Sequence, residues 1–564
     1  MRNKDRKHYY PAPLRVNYKI ITIMKSTYLL TVLLLLFLNP LKGITSSKEK
    51  PNIIFLMTDD QRWDNFGCYG KPEFNTPNID QLAKEGVTFD KACYTVAICM
   101  PSRVTMMTGR YYSNHRVGFV APNDYTLSQA DFANTYPSIL KDAGYRTGFI
   151  GKVGFTVTEK AQRPSTPKES FYKKHLGKTF DYFAGTNTHD RDGVTTWPEE
   201  DLALKKIFAE GRQNSGRTLR TGEAMLHFLD TQPENQPFCL SVSFYAVKHD
   251  NNKDMYMPHY DFYKDNKMTI PDNWVEGDNE ALPKVVIDNA RGVYLHKQRS
   301  STTEMHQRLV RRFATQGYSV DEQVGLLVEK LRQKGMLENT IIIYTSDNGR
   351  FQGSHGLFDK CLLYEEAVKA PLIVFDGRLA ATERGFRENA LISSVDMAPT
   401  ILSFAGIKAP QSMQGRDFTK ILNKTQNRSK WRDAVFMENL FLVAMFNERY
   451  KDNVDEINQG LIRANESYRS RGVRTDQYKY FVYYEHQPKI EELYDLEQDP
   501  LEQINLVNSP DHRKILKPLR KKTKQLYHKV SSYLIPKLLI AVHKAFVLNR
   551  CSICTTFGFV CNIG

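Results

Sequence analysis

Asn52-Ile53-Ile54-Phe55-Leu56-Met57-Thr58-Asp59-Asp60-Gln61 runs through five consecutive apolar residues and closes on two adjacent carboxylates. A short apolar run without alternation reads as a strand buried on both faces, as in a parallel sheet. Asp59 and Asp60 then stand at its C-terminal end, where open α/β sheets place their sites. Neighbouring carboxylates repel each other, and a bound cation relieves that repulsion most simply. A helix N-cap is the other reading for one of them.

The same pattern recurs. Thr340-Ile341-Ile342-Ile343-Tyr344-Thr345 ends in Ser346-Asp347-Asn348-Gly349. Tyr145-Arg146-Thr147-Gly148-Phe149-Ile150-Gly151-Lys152 reads as a core strand ending in a lysine. Pro237 to Tyr245 reads as a third, leading into Ala246-Val247-Lys248-His249-Asp250. Between them, Tyr136–Ala143 closed by Gly144, Gly222–Leu229, and Val320–Leu331 closed by Gly335 carry helical spacing and stop signals. Strands alternating with helices predict an α/β fold. Asp59, Asp60, Asp347 and Asn348 form an all-oxygen set, which favours Ca²⁺, with Mg²⁺ next and Zn²⁺ last; an Asp-Asn-Gly turn is the plainer reading of 347–349. His249 suits proton transfer near neutral pH. Lys248 fits the same register, and a structural histidine is the alternative.

Thr95-Val96-Ala97-Ile98-Cys99-Met100-Pro101-Ser102-Arg103 continues to Thr108-Gly109-Arg110. A helix is expected to begin at Cys99, with backbone N–H groups and a positive dipole end facing an anion. The plainer reading of Cys99 is a buried small thiol.

Composition is that of a globular protein, 41% hydrophobic and 25% charged over 564 residues. Of the net charge of +15, +8 lies in residues 1–50 and +11 in residues 513–564, so residues 51–512 carry −4. The basicity belongs to the ends, read as solvated or processed, and no nucleic-acid partner is expected. Met24-Lys25-Ser26-Thr27, the apolar Tyr28–Leu38 and Asn39-Pro40-Leu41-Lys42-Gly43 fit an export signal, with Met24 an alternative start. The run is short for a membrane span, and none is expected. Export permits disulfides, but the pairing of eight cysteines is not legible.

Residues 156–235 read as polar loops facing substrate, with Phe180–Gly185 and Thr188-His189-Asp190 among them, and 251–315 as an irregular insertion. From about residue 400 the signals change: Gly472–Tyr484 looks like one strand, followed by Glu492–Leu496. The expected division is an N-terminal extension with export signal (1–47), a main domain (48–400), a C-terminal part (401–534) and an atypical tail (535–564).

The Cys-x-Pro-Ser-Arg…Thr-Gly-Arg stretch resembles the signature of type I sulfatases, in the alkaline-phosphatase-like superfamily. Thr58–Gln61, Asn75–Asp80, Gly151-Lys152, Ser346–Gly349, Gly353-Ser354-His355-Gly356-Leu357 with Lys360, and Tyr364–Phe375 extend the resemblance in order over about 51–510. It implies an α/β fold with a large mixed, mostly parallel sheet flanked by helices, and over 401–534 a smaller C-terminal α+β subdomain, a short antiparallel sheet packed with a helix. It further implies that Cys99 is oxidised to formylglycine by a formylglycine-generating or sulfatase-maturating enzyme, and that one calcium is bound by Asp59, Asp60, Asp347, Asn348 and the modified Cys99. Arg103 would hold the hydrate, Lys152 would touch hydrate and sulfate, Lys360 would bind sulfate, and His355 would orient the nucleophile or bind sulfate. His249 or Lys248 would face the leaving group. The implied activity is sulfate ester hydrolysis on a carbohydrate, by a periplasmic or secreted enzyme. One departure is clear. The histidine usual two or three residues after the lysine is missing, since Val153-Gly154-Phe155 stands there. A phosphonate or phosphate ester hydrolase and a non-catalytic binder of sulfated sugars are the rival readings.

Overall fold

The structure, a computed structural model, describes residues 50–119, 124–162, 176–177, 179–186, 194–209, 216–248, 256–277, 279–442 and 454–531. The expected export signal, His189, His249 and the 535–564 tail lie outside the described residues.

The first element is β1 (Asn52–Thr58), at the place the sequence predicts. It sits mid-sheet. Further strands are β2 (Val87–Phe89), β3 (Leu127–Ser128), β4 (Arg146–Lys152), β5 (Val157–Thr158), β6 (Tyr182–Thr186), β7 (Thr195–Trp197), β8 (Phe238–Ser243), β9 (Thr340–Ser346), β10 (Leu372–Asp376) and β11 (Phe386–Glu388). Nine of these form one sheet in the order β11-β2-β10-β9-β1-β8-β4-β6-β7, and β3 and β5 pair separately. β9, β1, β8, β4 and β6 run parallel, while β10 and β7 are antiparallel to their neighbours. The mixed, mostly parallel sheet expected from the sequence is therefore present.

Side chains alternate across a strand. Ile53, Phe55 and Met57 enter one core layer while Ile54 and Leu56 enter the other, and β9 divides Ile341 and Ile343 from Ile342 and Tyr344 in the same way. Helices cover both faces, so both layers are apolar. On one side lie α2 (Cys99–Thr108), α3 (Tyr136–Asp142) and α7 (Met397–Phe404); on the other lie α1 (Pro77–Glu85), α4 (Arg217–Asp230) and α6 (Thr303–Gln333).

Two expectations fail in these flanks. Phe180–Gly185 is not a loop: Tyr182 to Thr186 form β6, hydrogen-bonded in register to Gly148–Lys152. Tyr182 and Phe183 point to opposite layers, and the glycine at 185 lets the backbone of Gly151 come close, since a Cβ there would stand 2.6 Å from the Gly151 carbonyl oxygen. Nor is 251–315 irregular. It holds helices at Met257–Tyr263 and Lys284–Asn289, α5 (Arg291–Arg299) and the first turns of α6. Thr302 caps α6 by accepting from the Met305 N–H at 3.2 Å, and His306, Leu309, Val310 and Phe313 bury one face. The charged residues on the outer face hid that stripe in the sequence.

The C-terminal part adds a second, antiparallel sheet of β12 (Ala434–Asn439), β13 (Ser470–Thr475), β14 (Tyr478–Tyr483) and β15 (Ile490–Asp495). The single strand expected at 472–484 is a hairpin: Thr475 Oγ1 accepts from the Tyr478 N–H at 2.9 Å and turns the chain at Asp476-Gln477. The basic 513–531 segment is not a solvated end. It forms α8 (Arg513–Ser531), which buries Leu516, Leu519, Thr523 and Val530 and sends its lysines outward. Met437, Phe481, Tyr483 and Tyr494 share a core with Ala97, Phe351, Leu357 and Tyr364, so the two sheets pack together in one body.

No disulfide joins the described cysteines Cys68, Cys93, Cys99, Cys239 and Cys361.

Candidate active site

The parallel strands β9, β1, β8 and β4 end side by side and deliver their terminal residues to one place. Thr58 pairs with Ser346 across β1 and β9, so Asp59 and Asp60 emerge beside Asp347 and Asn348. Ser243 ends β8 and Lys152 ends β4, the next strand over. Main-chain bonds fix the turns: the Asp59 N–H donates to Ala246 O at 2.8 Å, and the Asp347 N–H to Thr58 O at 3.0 Å. Asp60 adopts a left-handed φ of 62°, stabilised by its own N–H donating to Asp347 Oδ1 at 2.9 Å.

Cys99 is the first residue of α2, as the sequence predicts. Arg103 lies one turn on, on the same face. Its guanidinium donates to Asp347 Oδ2 (2.8 Å), the Lys152 carbonyl (2.7 Å) and Ser243 Oγ (2.5 Å), locking three strand ends together. Ser102 Oγ donates to the Asp347 carbonyl at 2.5 Å. Lys152 Nζ bonds Asp59 Oδ2 at 2.5 Å, and Lys248 Nζ lies 3.6 Å from both Asp59 Oδ1 and Cys99 Sγ. Lys360 and Arg350 both pair with Asp60, Arg350 at 3.1 Å. A cavity of about 380 Å³ opens here, lined among others by Cys99, Asp60, Lys248, Arg350 and Lys360.

All these groups are buried, and their charges compensate one another. Burial alone would raise the Asp59 carboxyl, but Lys152, Lys248 and Arg103 together hold it well below the usual range. Asp60 is lowered against its burial by Lys360 and Lys248. Burial would also raise the Cys99 thiol, yet Lys152, Lys248 and Lys360 bring it below its ordinary value. Lys248 is held charged, against its own burial, by Asp59, Cys99 and Asp60. This centre stabilises negative charge on whatever stands at position 99.

Ligand atoms of Asp59, Cys99 and Asp347 lie within 4.8 Å of one another. Asp59 Oδ1 and Asn348 Oδ1 are buried with no hydrogen-bond partner. Orphaned buried oxygens are costly unless a cation or water meets them, so the donor set fits a hard divalent ion.

Of the residues expected in the site, Asp59, Asp60, Cys99, Arg103, Lys152, Lys248, Asp347, Asn348 and Lys360 are brought together. His249 lies outside the described residues. His355 stands elsewhere, and its expected contact with nucleophile or sulfate is not what the structure shows. Its Nε2 lies 3.3 Å from Glu366 Oε2 and 3.1 Å from Asn273 Nδ2, and its ring stacks on Tyr364 at 4.7 Å. A left-handed φ of 58° turns this histidine inward, toward the second sheet. Where a histidine is usual after Lys152, Gly154 packs on Arg103 and Phe155 joins the apolar core. Arg350 escaped the sequence reading, although it follows Gly349 directly in the Asp-Asn-Gly motif. Ser243 gave no signal beyond its place at a strand end.

The family description "Sulfatase" matches residues 51–407, well over half of the chain. The chain belongs to the sulfatase family. The description "N-sulphoglucosamine sulphohydrolase, C-terminal" matches residues 461–529, which hold β13, β14, β15 and most of α8. The chain is 27% identical to an N-acetylglucosamine-6-O-sulfatase of Bacteroides thetaiotaomicron, the alignment covering 89% of this chain and 91% of that one. It resembles in fold a protein solved in complex with its substrate D-glucosamine-2-N,6-O-disulfate, at TM-score 0.65 and 24% identity, covering 86% and 98% of the two chains. A phosphonate monoester hydrolase of Agrobacterium radiobacter shares the fold at TM-score 0.65 and 19% identity, covering 85% and 96%. No helix among the described residues is long and apolar enough to cross a membrane.

Proposed function

We propose that this sulfatase-family enzyme hydrolyses a sulfate ester of a carbohydrate, with Cys99 acting after oxidation to formylglycine. The observation that carries the reading is the setting of Cys99: first residue of a helix, beside Lys248 at 3.6 Å, in a buried cradle of lysines and arginines. The family and the sugar-sulfate relative support the substrate class.

In this reading a hydroxyl of the hydrated formylglycine attacks sulfur, and the second hydroxyl later expels sulfate. Arg103 and Lys152 hold the position of residue 99 against Asp347 and Asp59. Lys248 and Lys360 face the sulfate oxygens and stabilise the charge that develops there. His249 protonates the leaving alcohol. Asp59, Asp60, Asp347, Asn348 and the modified residue 99 would hold a calcium ion, which when bound adds positive charge at the sulfate and acidifies the hydrate. Because Gly154 and Phe155 fill the place of the usual histidine, release of sulfate depends on the remaining cations and water. Export by the 24–43 segment, maturation of Cys99 by a formylglycine-generating or sulfatase-maturating enzyme, and a boundary near residue 400 between the main domain and the C-terminal subdomain complete the proposal.

The test compares kcat/KM on an aryl sulfate and the matching aryl phosphate. Preference for the sulfate supports the reading; preference for the phosphate points to the phosphate or phosphonate ester chemistry available to the same fold.

A further inference from the structure

The cavity over Cys99 carries more positive charge than one sulfate ester needs. Among the described residues, five cationic side chains line it, Lys248, Arg291, Arg299, Arg350 and Lys360, against two carboxylates, Asp60 and Asp359. Lys248, Arg350 and Lys360 belong to the cluster at the strand ends. Arg291 and Arg299 do not. They come from α5, spaced with Leu295 at four-residue intervals, so all three lie along one face of that helix and all three line the cavity.

The helix that presents them is fixed in place. Val293, Leu295 and His296 are buried, and the His296 ring bonds the Val275 carbonyl at 2.9 Å. The Phe358 N–H donates to Gly292 O at 3.1 Å, tying α5 to the loop that carries Lys360. Arg291 Nη1 meets Asp359 Oδ2 at 2.5 Å, and the Arg299 guanidinium lies over the Phe358 ring at 5.6 Å. Arg299 itself is exposed, at the solvent side of the cavity. Ile98, Phe119 and Phe441 contribute apolar wall to the same space. A ligand complementary to this lining has an apolar ring face and a second negative group beyond the one at Cys99.

We infer that Arg291 and Arg299 form a second anion subsite, which selects substrates whose leaving sugar, or the residue attached to it, carries a further sulfate or carboxylate. The inference rests on the sulfate-ester reading above and names the substrate class within it. A guanidinium offers planar, paired donors suited to either oxyanion. Two of them at the entrance of a cationic cavity favour dianionic over monoanionic substrates in both capture and binding.

The experiment measures kcat/KM for the full chain on four probes: para-nitrophenyl sulfate, a glucosamine with one O-sulfate, D-glucosamine-2-N,6-O-disulfate, and the mono-O-sulfated sugar linked to a uronic acid. At least one of the two dianionic probes should exceed the monosulfated sugar by about tenfold or more, the scale of a charge-assisted hydrogen bond. Arg299→Ala and Arg291→Gln should each reduce that advantage severalfold, while turnover of para-nitrophenyl sulfate stays within about twofold. Arg299→Ala changes an exposed position and reads out the subsite even where Arg291→Gln disturbs Asp359. An advantage confined to the disulfate names a second sulfate, and one confined to the uronide names a carboxylate. No advantage in the wild type, or an advantage unchanged in both variants, overturns the inference. Failure to turn over any of the four sulfates removes the sulfate-ester reading, and the inference falls with it.

Discussion

Lys248 stands 3.6 Å from the Cys99 sulfur and 3.6 Å from Asp59, and those neighbours keep it charged despite burial. A buried cation aimed at the reacting centre stabilises charge in the transition state without having to reorganise. Lys248→Ala should therefore lower kcat by roughly 10² to 10³ with a smaller effect on KM, measured on para-nitrophenyl sulfate. Gly154 tests the architecture around Arg103. Its φ is +81°, and a Cβ there would sit 2.8 Å from Arg103 Cδ. Gly154→Ala should cost about 1–3 kcal/mol in unfolding free energy and push Arg103 off Asp347, with kcat falling at least about tenfold. Unchanged activity would show that Arg103 is not held by that contact. At this scale much was legible. Paired carboxylates after an apolar run announce themselves by chemistry, whereas Cys99 and Arg103 were legible through the family signature they resemble. Arg350 did not, because an arginine after Asp-Asn-Gly reads as surface until Phe313 and Phe358 are seen packed against it, at 5.2 and 4.7 Å.

The loop from Gly349 to Cys361 is the element that joins the reaction centre to the second sheet. It carries Lys360 toward Asp60 and His355 away, into a buried set with Glu366, Asn273, Glu502 and Lys479. Burial alone would lower His355, but Glu366, with Glu502 and Glu492 further off, raises it above its ordinary value of about 6.5. A raised pKa in the folded state contributes stability that is complete below the unfolded value and is lost as pH rises through the folded value. His355→Gln should thus lower stability by about 3–5 kcal/mol near pH 6, since it leaves Glu366 buried against a neutral partner. The gap to wild type should narrow as pH rises through the raised pKa of the wild-type histidine, which then loses its own proton. Thermal unfolding of both proteins across that range checks the sign; a gap that widens with pH would contradict it. The sequence could place this loop but not its direction, because the left-handed φ at His355 is a tertiary outcome with no local signal. The strands were plain for the opposite reason: an unbroken apolar run has few other readings, whereas outer charges masked the part of α6 that precedes Val320.

Over the whole molecule, Asp59, Asp60 and Asp347 are held by cations of their own, yet Asp59 Oδ1 and Asn348 Oδ1 lack hydrogen-bond partners. Removal of a bound calcium by chelator should abolish turnover and lower Tm by roughly 2–5 °C, with calcium restoring both more fully than magnesium. Activity indifferent to chelation would contradict the donor-set argument. The second sheet bears on the neighbouring His355 set: Glu492 of β15 accepts hydrogen bonds from Tyr364, Tyr483 and Tyr494, and the Tyr364 ring stacks on His355. The family resemblance placed that sheet and a helix on it; the reading of the basic end as solvated did not. It misjudged the helix's charge, because lysines on one face of α8 say nothing of the leucines on the other until its partner is known.

The account turns on the chemical state of one atom group, and intact-mass fragmentation of the tryptic peptide Ala92–Arg103 from the protein of its native host reads it directly. Oxidation of the Cys99 thiol to an aldehyde predicts a loss of about 18 Da, placed by fragmentation on Cys99 and not on Cys93. An intact cysteine at 99 in a preparation that turns over an aryl sulfate would contradict the account.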